Sequence, residues 1–259
     1  MNGESTPVMS RPAANVALIE LNRATNANRI QPEDLDTLER QLDECERDQD
    51  IHVLVLAAKG TYFSAGFDLR ALSANTASGE RKTAESDSAF ERFADRLENT
   101  RLIVIAAING PVIGGSTDVA LACDLRIGIE KAYMLMPAAR FGLPLYAGAL
   151  QRYVTRLGLN QAKRLVFLAQ KVEAAEMLAI GFLNEITPEA GLRSRALEVA
   201  SSIAAMPASP LAAMKQVLNA SALSKGTARE NREALLAAFD GPAIATRIAA
   251  GHAARRSQD

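Results

Sequence analysis

The sequence contains no tryptophan and only two cysteines and two histidines among 259 residues. Cys45 and Cys123 belong to no CxxC motif and to no Cys/His cluster. This pattern argues against structural zinc and against a disulfide framework. His52 and His252 lie in unrelated segments, so a hydrolase that depends on a histidine base has little to work with.

The sequence also lacks a charge excess and long apolar runs. A net charge of -1 gives no electrostatic case for binding nucleic acid or an anionic membrane. No apolar run reaches the roughly 20 residues that cross a bilayer. Residues 1–12 contain Glu4 and no apolar core, so they do not predict a signal or transit peptide. We therefore expect a loose N-terminal tail and a cytoplasmic protein that contacts neither membrane nor nucleic acid.

The hydrophobic pattern of the first half alternates between strands and helices, which favours an α/β fold. Strands are predicted at 15–23, 51–58 and 102–108, and helices at 32–48, 88–99 and 116–124. The polar residues 71–88 show no period and predict a mobile loop. After about residue 148 the pattern is helical with one strand at 182–186, and further helices are predicted at 188–205, 210–224 and 227–239.

Two glycine-containing loops each follow a buried-type strand. Residues 64–68 (SAGFD) follow the strand at 51–58, and residues 114–116 (GGS) follow the strand at 102–108. Glycine allows close approach to the backbone, and the second loop also begins a helix with free N–H groups. Two N–H groups that converge on one oxygen would stabilise negative charge in a transition state. The alternative is two tight turns, and neither loop fits a dinucleotide or phosphate-loop motif.

Several motifs in order resemble the crotonase superfamily, also called the enoyl-CoA hydratase/isomerase family. ALIELNR with Asn28 resembles its first strand and LNRPxxxNA loop, and GTYFSAGFDLR (60–70) resembles its AFSAGxDL signature. AAINGPVIGGSTDVALACDLRIG (106–128) resembles AAVNGxAxGGGxELALxCDxxIA. EAAEMLAIGFLNEI resembles AxEAxxxGLVNxV. The resemblance extends from Val16 to about Ala220.

This resemblance implies a crotonase-like α/β spiral of ββα units over residues 1–195 and a helical trimerisation region over 196–259. It implies a homotrimer, or a hexamer built from two trimers. It also implies an acyl-CoA substrate, with coenzyme A as part of that substrate and no metal or redox cofactor.

The resemblance also assigns binding roles. By motif position, the thioester oxygen would lie between the N–H groups of Phe67 and Gly115. The CoA moiety would follow the backbone of the SAGxDL motif, which corresponds to Ala65, Asp68, Leu69 and Arg70. From charge alone, Arg23 and Arg29 are candidate phosphate partners.

The sequence departs from the family pattern at both catalytic glutamates. Asp118 occupies the first position and Ala138 the second, so the paired carboxylates that syn-hydration uses are missing. Aspartate is about 1.3 Å shorter than glutamate, comparable to misplacements that cost about 10²-fold in rate. A single carboxylate still suffices for proton transfer between two carbons. We therefore expect Asp118 to be the acid/base and favour an isomerase over a hydratase.

Other readings of the same residues stay open. A CoA-thioester decarboxylase or hydrolase would need the two N–H groups but not Asp118, and a non-catalytic acyl-CoA-binding homologue would need neither carboxylate. Asp118 would then be a helix N-terminal acid that favours the dipole. Tyr146 is a candidate proton donor or a space-filling residue. Arg140 is a candidate partner for a carboxylated acyl group, and with Ala138 and Tyr146 it would line the acyl pocket.

Overall fold

A computed structural model describes residues 6–67 and 83–222, with the helical positions 242, 245, 246, 249 and 250. Side chains are not described for 83–88. The predicted helix 227–239 and the predicted CoA contacts Asp68, Leu69 and Arg70 lie outside these residues.

The described residues form strands and helices that alternate along the chain. The strands are β1 (Val8–Ala13), β2 (Val16–Leu21), β3 (Val53–Ala58), β4 (Ile103–Ile108), β5 (Val112–Ile113), β6 (Leu125–Ile129), β7 (Tyr133–Leu135), β8 (Val172–Glu173) and β9 (Glu185–Thr187). The helices are α1 (Pro32–Arg47), α2 (Thr83–Asn99), α3 (Gly115–Ala122), α4 (Ala138–Phe141), α5 (Ala147–Leu157), α6 (Leu159–Leu168), α7 (Ala174–Ala179), α8 (Leu192–Ala204) and α9 (Ala208–Ala222). Short 3₁₀ turns lie at Ala24–Asn26 and Glu189–Gly191.

The strands form two sheets. The larger has the order β1-β2-β3-β4-β6-β9, with β1 antiparallel and all other pairs parallel. The smaller has the order β5-β7-β8. The central strands β3 and β4 are buried almost throughout because parallel sheets are covered on both faces, which explains their continuous apolar sequence.

Helix α1 shows why the helical predictions succeed. Pro32 stands at its first turn, Gln31 and Asp34 form a reciprocal capping box, and Leu35, Leu38 and Leu42 are buried on one face. The helix packs against β2 and α2. Local sequence and tertiary burial thus agree in this segment, and the helix predicted for 32–48 is confirmed.

Helix α8 packs across β2, β3, β4 and β6 and buries Leu192, Ala196 and Ala200. The domain boundary predicted between 195 and 196 falls inside this helix, which belongs to the core of the sheet. The trimerisation role expected for residues 196–259 stays a prediction.

Three local predictions are wrong. Residues 8–13 form the edge strand β1 instead of a loose tail, because they pair with β2 and an edge position tolerates Pro12. Helix α2 begins at Thr83 rather than 88, because polar residues extend it where the apolar pattern gives no signal. Val172 and Glu173 form β8 instead of helix because they pair with β7.

In the described part of the chain, no single helix is long and apolar enough to cross a membrane. The segment Glu189–Ala204 and helix α9 meet that length and composition only as a pair, and a 105° bend separates them.

Candidate active site

The two glycine loops leave the same edge of the large sheet. β3 and β4 are parallel, so the loops that follow Ala58 and Ile108 begin side by side. A parallel bridge joins Ser64 to Val112, and the Ile113 N–H donates to Ser64 O at 2.9 Å. The structure therefore brings together the two loops that sequence reasoning singled out.

Closest approach occurs between Gly66 and the start of α3. Gly66 has φ +80°, and a Cβ there would lie 2.5 Å from Ile113 O and 3.0 Å from Gly115 N. An L side chain is thus excluded by both conformation and space. The absent side chain of Gly66 lets its backbone approach the backbone of Ile113 and Gly115.

The N–H groups of Phe67 and Gly115 donate to no other group among the described residues. Gly115 is the first residue of α3 and has no intrahelical acceptor. Phe67 forms a parallel bridge with Ile30, in which the bonds run through the neighbouring residues, such as Ile30 N–H to Gly66 O at 2.9 Å. Two donors from adjacent loops thus keep their hydrogen-bonding capacity, as an oxyanion site requires.

Two buried serine hydroxyls brace this arrangement. Ser64 Oγ donates to Asn28 O at 2.7 Å and accepts the Gly66 N–H at 3.0 Å. Ser116 Oγ lies 2.8 Å from both Ser64 O and Ile113 O and accepts the Ile113 N–H at 3.0 Å. Its single proton serves one of the two carbonyls at a time. Ser116 therefore ties the first turn of α3 to the loop that precedes Gly66.

Aromatic rings cover the Gly115 side of the site. The Phe67 and Phe90 rings meet edge to face with centroids 6.2 Å apart. A Cβ on Gly115 would lie 2.9 Å from Phe90 Cε1. Phe67 is half-buried whereas Phe90 is buried, so Phe90 supports the Phe67 ring and fills the space beside Gly115.

Asp118 lies one turn into α3 and is fully buried. Its Oδ1 accepts Arg152 Nε at 2.7 Å, and its Oδ2 accepts Arg152 Nη2 at 2.9 Å. Tyr146 Oη also donates to Oδ2. The predicted acid/base is thus a carboxylate held in a bidentate ion pair with a tyrosine hydroxyl on one oxygen.

Arg152 is shared among three carboxylates. Besides Asp118, it contacts Asp95 at 2.7 Å and Glu98 at 3.0 Å, while its own side chain is 2% exposed. Arg156 pairs with Glu98 at 2.8 Å and extends the network towards the surface. A buried guanidinium needs such partners because an unpaired buried charge is costly.

The electrostatics of the cluster follow from burial and from these contacts. Burial alone would lower the pKa of Arg152, but the charge and hydrogen bonds of Asp118 raise it above its ordinary value. Burial, reinforced by the charge of Asp118, raises the pKa of Tyr146 well above its ordinary range. Arg152 is therefore a cation and Tyr146 a protonated phenol at neutral pH.

The family model described as enoyl-CoA hydratase/isomerase matches residues 11–241. The chain belongs to the enoyl-CoA hydratase/isomerase family. A putative enoyl-CoA hydratase/isomerase of Bacillus subtilis is 35% identical over 73% of this chain and 72% of its own length. A short-chain enoyl-CoA hydratase of Clostridium acetobutylicum is 29% identical over 83% and 82%.

The fold comparison agrees with this assignment. The crystal structure of an enoyl-CoA hydratase/isomerase from Xanthobacter autotrophicus matches with a TM-score of 0.83 at 25% identity, over 98% of this chain and 94% of that one. The crotonase-like α/β fold predicted from the sequence is confirmed. The protein is thus an enzyme of the enoyl-CoA hydratase/isomerase family.

Ala138, which the resemblance places where family hydratases carry their second glutamate, is the first residue of α4. Ala138 and Tyr146 are half-buried and both pack against the core. Arg140 instead donates to Ala169 O at 2.7 Å, at the C-terminal end of α6. Tyr146 therefore contacts Asp118, whereas Arg140 caps the C-terminal end of α6.

The predicted CoA contacts are less well defined. The Ala65 N–H donates to Ala27 O at 2.8 Å and so stabilises the turn. Arg23 pairs with Glu33 and Asp34, at 3.0 and 2.8 Å. Arg23 and Arg29 line the same shallow, open pocket. Their phosphate-binding role stays a prediction.

Sequence reasoning missed Arg152, the main partner of Asp118. Its signal is a cation on the apolar face of α5, where Ala149, Tyr153 and Leu157 are buried. A charge in that position predicts a buried carboxylate partner, although the pattern does not say which one. No group of three or more metal-ligating side chains was found in the described ranges 6–67 and 83–222.

Proposed function

We propose that this enzyme moves a proton on a coenzyme A thioester through an enolate whose oxygen is bound by the Phe67 and Gly115 N–H groups. The supporting observation is the pair of uncommitted N–H donors on loops that meet at Gly66. Preorganised donors of this kind lower the barrier because they cost no reorganisation when charge develops. The Phe67 ring would form one wall of the acyl pocket.

Double-bond isomerisation is favoured over hydration. Hydration in this family uses two carboxylates, one of which positions water, and Ala138 carries no group that can do so. Isomerisation needs one acid/base that removes a proton from the α-carbon and returns it to the γ-carbon. Asp118 is the buried carboxylate closest in sequence to Gly115, three residues along α3.

The remaining expectations are part of this proposal. Coenzyme A would enter as part of the substrate along the loop that starts at Ala65, and no separate cofactor would be needed. A homotrimer or hexamer in the cytoplasm is the expected form.

The first experiment is α-carbon proton exchange, followed by NMR in deuterated water. The panel contains saturated, 2-enoyl, 3-enoyl and malonyl-type CoA thioesters. We expect deuterium incorporation or double-bond migration with the 3-enoyl ester, and a loss of about 10²-fold or more in Asp118→Asn, which keeps the side-chain shape but removes the base. Unchanged exchange in Asp118→Asn would show that Asp118 is not the acid/base.

A second candidate is a decarboxylase or hydrolase that relies on the N–H pair alone. The observation in its favour is that both oxygens of Asp118 are already bonded. This alternative predicts turnover of the malonyl-type ester, or thioester cleavage, that survives Asp118→Asn. Tight binding of every ester without exchange or turnover would indicate a non-catalytic acyl-CoA-binding homologue.

A further inference from the structure

We propose that the hydroxyl of Tyr146 is the group that exchanges protons with the substrate, with Asp118 as its proton acceptor and Arg152 as the residue that positions Asp118. This inference rests on the enolate chemistry proposed above and assigns its proton-transfer step. The structural basis is the chain of contacts from Tyr146 Oη to Asp118 Oδ2 and from both Asp118 oxygens to Arg152.

Asp118 alone is badly placed to contact a substrate carbon. Its side chain is 1% exposed, and both of its oxygens are occupied. It is also one methylene shorter than the glutamate it replaces. Tyr146, in contrast, is partly exposed as a residue, and its hydroxyl, the buried end of the side chain, donates to Oδ2. A partly exposed tyrosine that is hydrogen-bonded to a buried carboxylate can connect that carboxylate to a bound substrate.

Helix geometry sets the spacing along α3 between Asp118 and the Gly115 N–H. Asp118 is three residues after Gly115, a rise of about 4.5 Å along α3. The α-carbon of a thioester is directly bonded to the carbonyl carbon whose oxygen the N–H groups would hold. Asp118, which accepts the Tyr146 hydroxyl, thus lies about one helical turn from Gly115, on the helix whose first residue carries one of the two donors.

Arg152 fixes Asp118 independently of Tyr146. Its two hydrogen bonds to Asp118 measure 2.7 and 2.9 Å, and its contacts with Asp95 and Glu98 hold the guanidinium from the other side. Loss of the Tyr146 hydroxyl would therefore leave Asp118 in position. This independence makes the relay testable by a single-atom deletion.

The proposed step is balanced in protons and electrons. The Cα–H bond of the thioester breaks, its proton binds Tyr146 Oη, and the phenolic proton moves to Asp118 Oδ2. The electron pair of the broken bond stays on the substrate as the enolate. In the second half, Tyr146 returns a proton to the γ-carbon and recovers its own from Asp118. The raised pKa of Tyr146 is consistent with a phenol that is protonated between turnovers.

The decisive comparison is Tyr146→Phe against Tyr153→Phe. Tyr153 is equally a phenol of the α5 region, it is fully buried, and its hydroxyl lies 2.6 Å from Thr117 Oγ1, beside Asp118 in sequence. We expect Tyr146→Phe to lower α-proton exchange by about 10²-fold or more, within the range of a lost general acid/base, while acyl-CoA affinity is unchanged. Tyr153→Phe is expected to exchange at the wild-type rate.

A second variant separates transfer from mere positioning. With 3,5-difluorotyrosine at position 146, the phenol keeps its shape and hydrogen bond but is more acidic. If Tyr146 relays the proton, difluorotyrosine at position 146 alters the rate of α-proton exchange, whereas difluorotyrosine at position 153 leaves that rate unchanged. If Tyr146 only positions Asp118, both variants exchange at the wild-type rate. Wild-type exchange in Tyr146→Phe or in the difluoro variant overturns the relay alone. Absence of exchange in the wild-type enzyme with every ester overturns the proposed function and the relay together.

Discussion

The candidate active site requires a residue without a side chain at position 66. Gly66→Ala should lower both kcat and Tm, because the new Cβ would meet Ile113 O at 2.5 Å and push against Gly115 N. Gly158→Ala is the matched control, since Gly158 has φ +81° but a Cβ there would have no atom within 4 Å. Gly158→Ala introduces the backbone strain of a positive φ, about 1 kcal/mol or more, but no steric clash of the new Cβ. Equal activity in the two variants, measured with the same ester, would contradict this role of Gly66.

Ser116 should act on rate more than on stability. Ser116→Ala removes the hydroxyl that joins α3 to Ser64 O, while the Ile113 N–H to Ser64 O bond stays. We expect kcat to fall by less than the roughly 10²–10³-fold that follows loss of an oxyanion donor itself. KM and acyl-CoA affinity should change little. A fall in Tm with normal kcat would identify Ser116 as a purely structural residue.

Both cysteine thiols should be unreactive in the folded enzyme. Burial raises the pKa of Cys45 to about 11 and that of Cys123 to about 12, so little thiolate forms at pH 8. Because the thiol pKa values are higher in the folded state than in the unfolded state, the contribution of the protonated thiols to the free energy of unfolding is intact below pH 9. It is lost as the pH rises towards 11. Titration with a thiol reagent should find no rapidly reacting thiol in native protein and two after denaturation.

At the residue scale, the sequence predicted backbone positions better than side-chain contacts. The resemblance to the family motifs singles out Phe67 and Gly115, and the structure brings their two loops together, while their role in binding the thioester oxygen stays a prediction. Arg152 is not singled out, because its pairing with Asp118 joins α3 to α5 across 34 residues of sequence. The same limit applies to Arg140, whose partner Ala169 O depends on how α6 ends.

At the element scale, the side chain of Lys215 links α9 to the core through hydrogen bonds and an ion pair. Its Nζ contacts Leu102 O and Asp124 Oδ2 at 2.8 Å, and Leu97 O at 3.3 Å, with only 4% of the side chain exposed. Lys215→Met should speed amide hydrogen exchange in α9 while β4 stays protected, because α9 loses its charged bonds but β4 keeps its ladder. Lys163→Met on the exposed side of α6 is the control and should leave α9 unchanged. Equal protection of α9 in both variants would contradict this function.

Element prediction succeeded where local sequence and burial agree, as in α1, β3 and β4. It failed for short strands that are extended only because they pair with another strand. β5 and β8 have two residues each, and β1 is an exposed edge. Their pairing with β7 and β2 is a tertiary event that no local pattern encodes.

At the scale of the whole molecule, α9 presents an apolar face in the single chain. Met214, Val217 and Leu218 are 53%, 65% and 69% exposed. Burial of such a face between subunits is consistent with the trimer expected from the family. Sedimentation should give three or six times the 27.7 kDa chain mass, and Val217→Glu with Leu218→Glu should shift it towards the monomer. A monomeric wild-type enzyme would refute the expected assembly.

The position of α8 across the sheet has a consequence for synthesis on the ribosome. β2, β3 and β4 are made early, but the helix that covers them ends at Ala204. Until that helix emerges, the nascent chain lacks the cover that α8 gives to the apolar surface of these strands in the folded protein. Ribosome-bound chains that stop before α8 should therefore require chaperones, and folding should complete only after most of the protein has been translated.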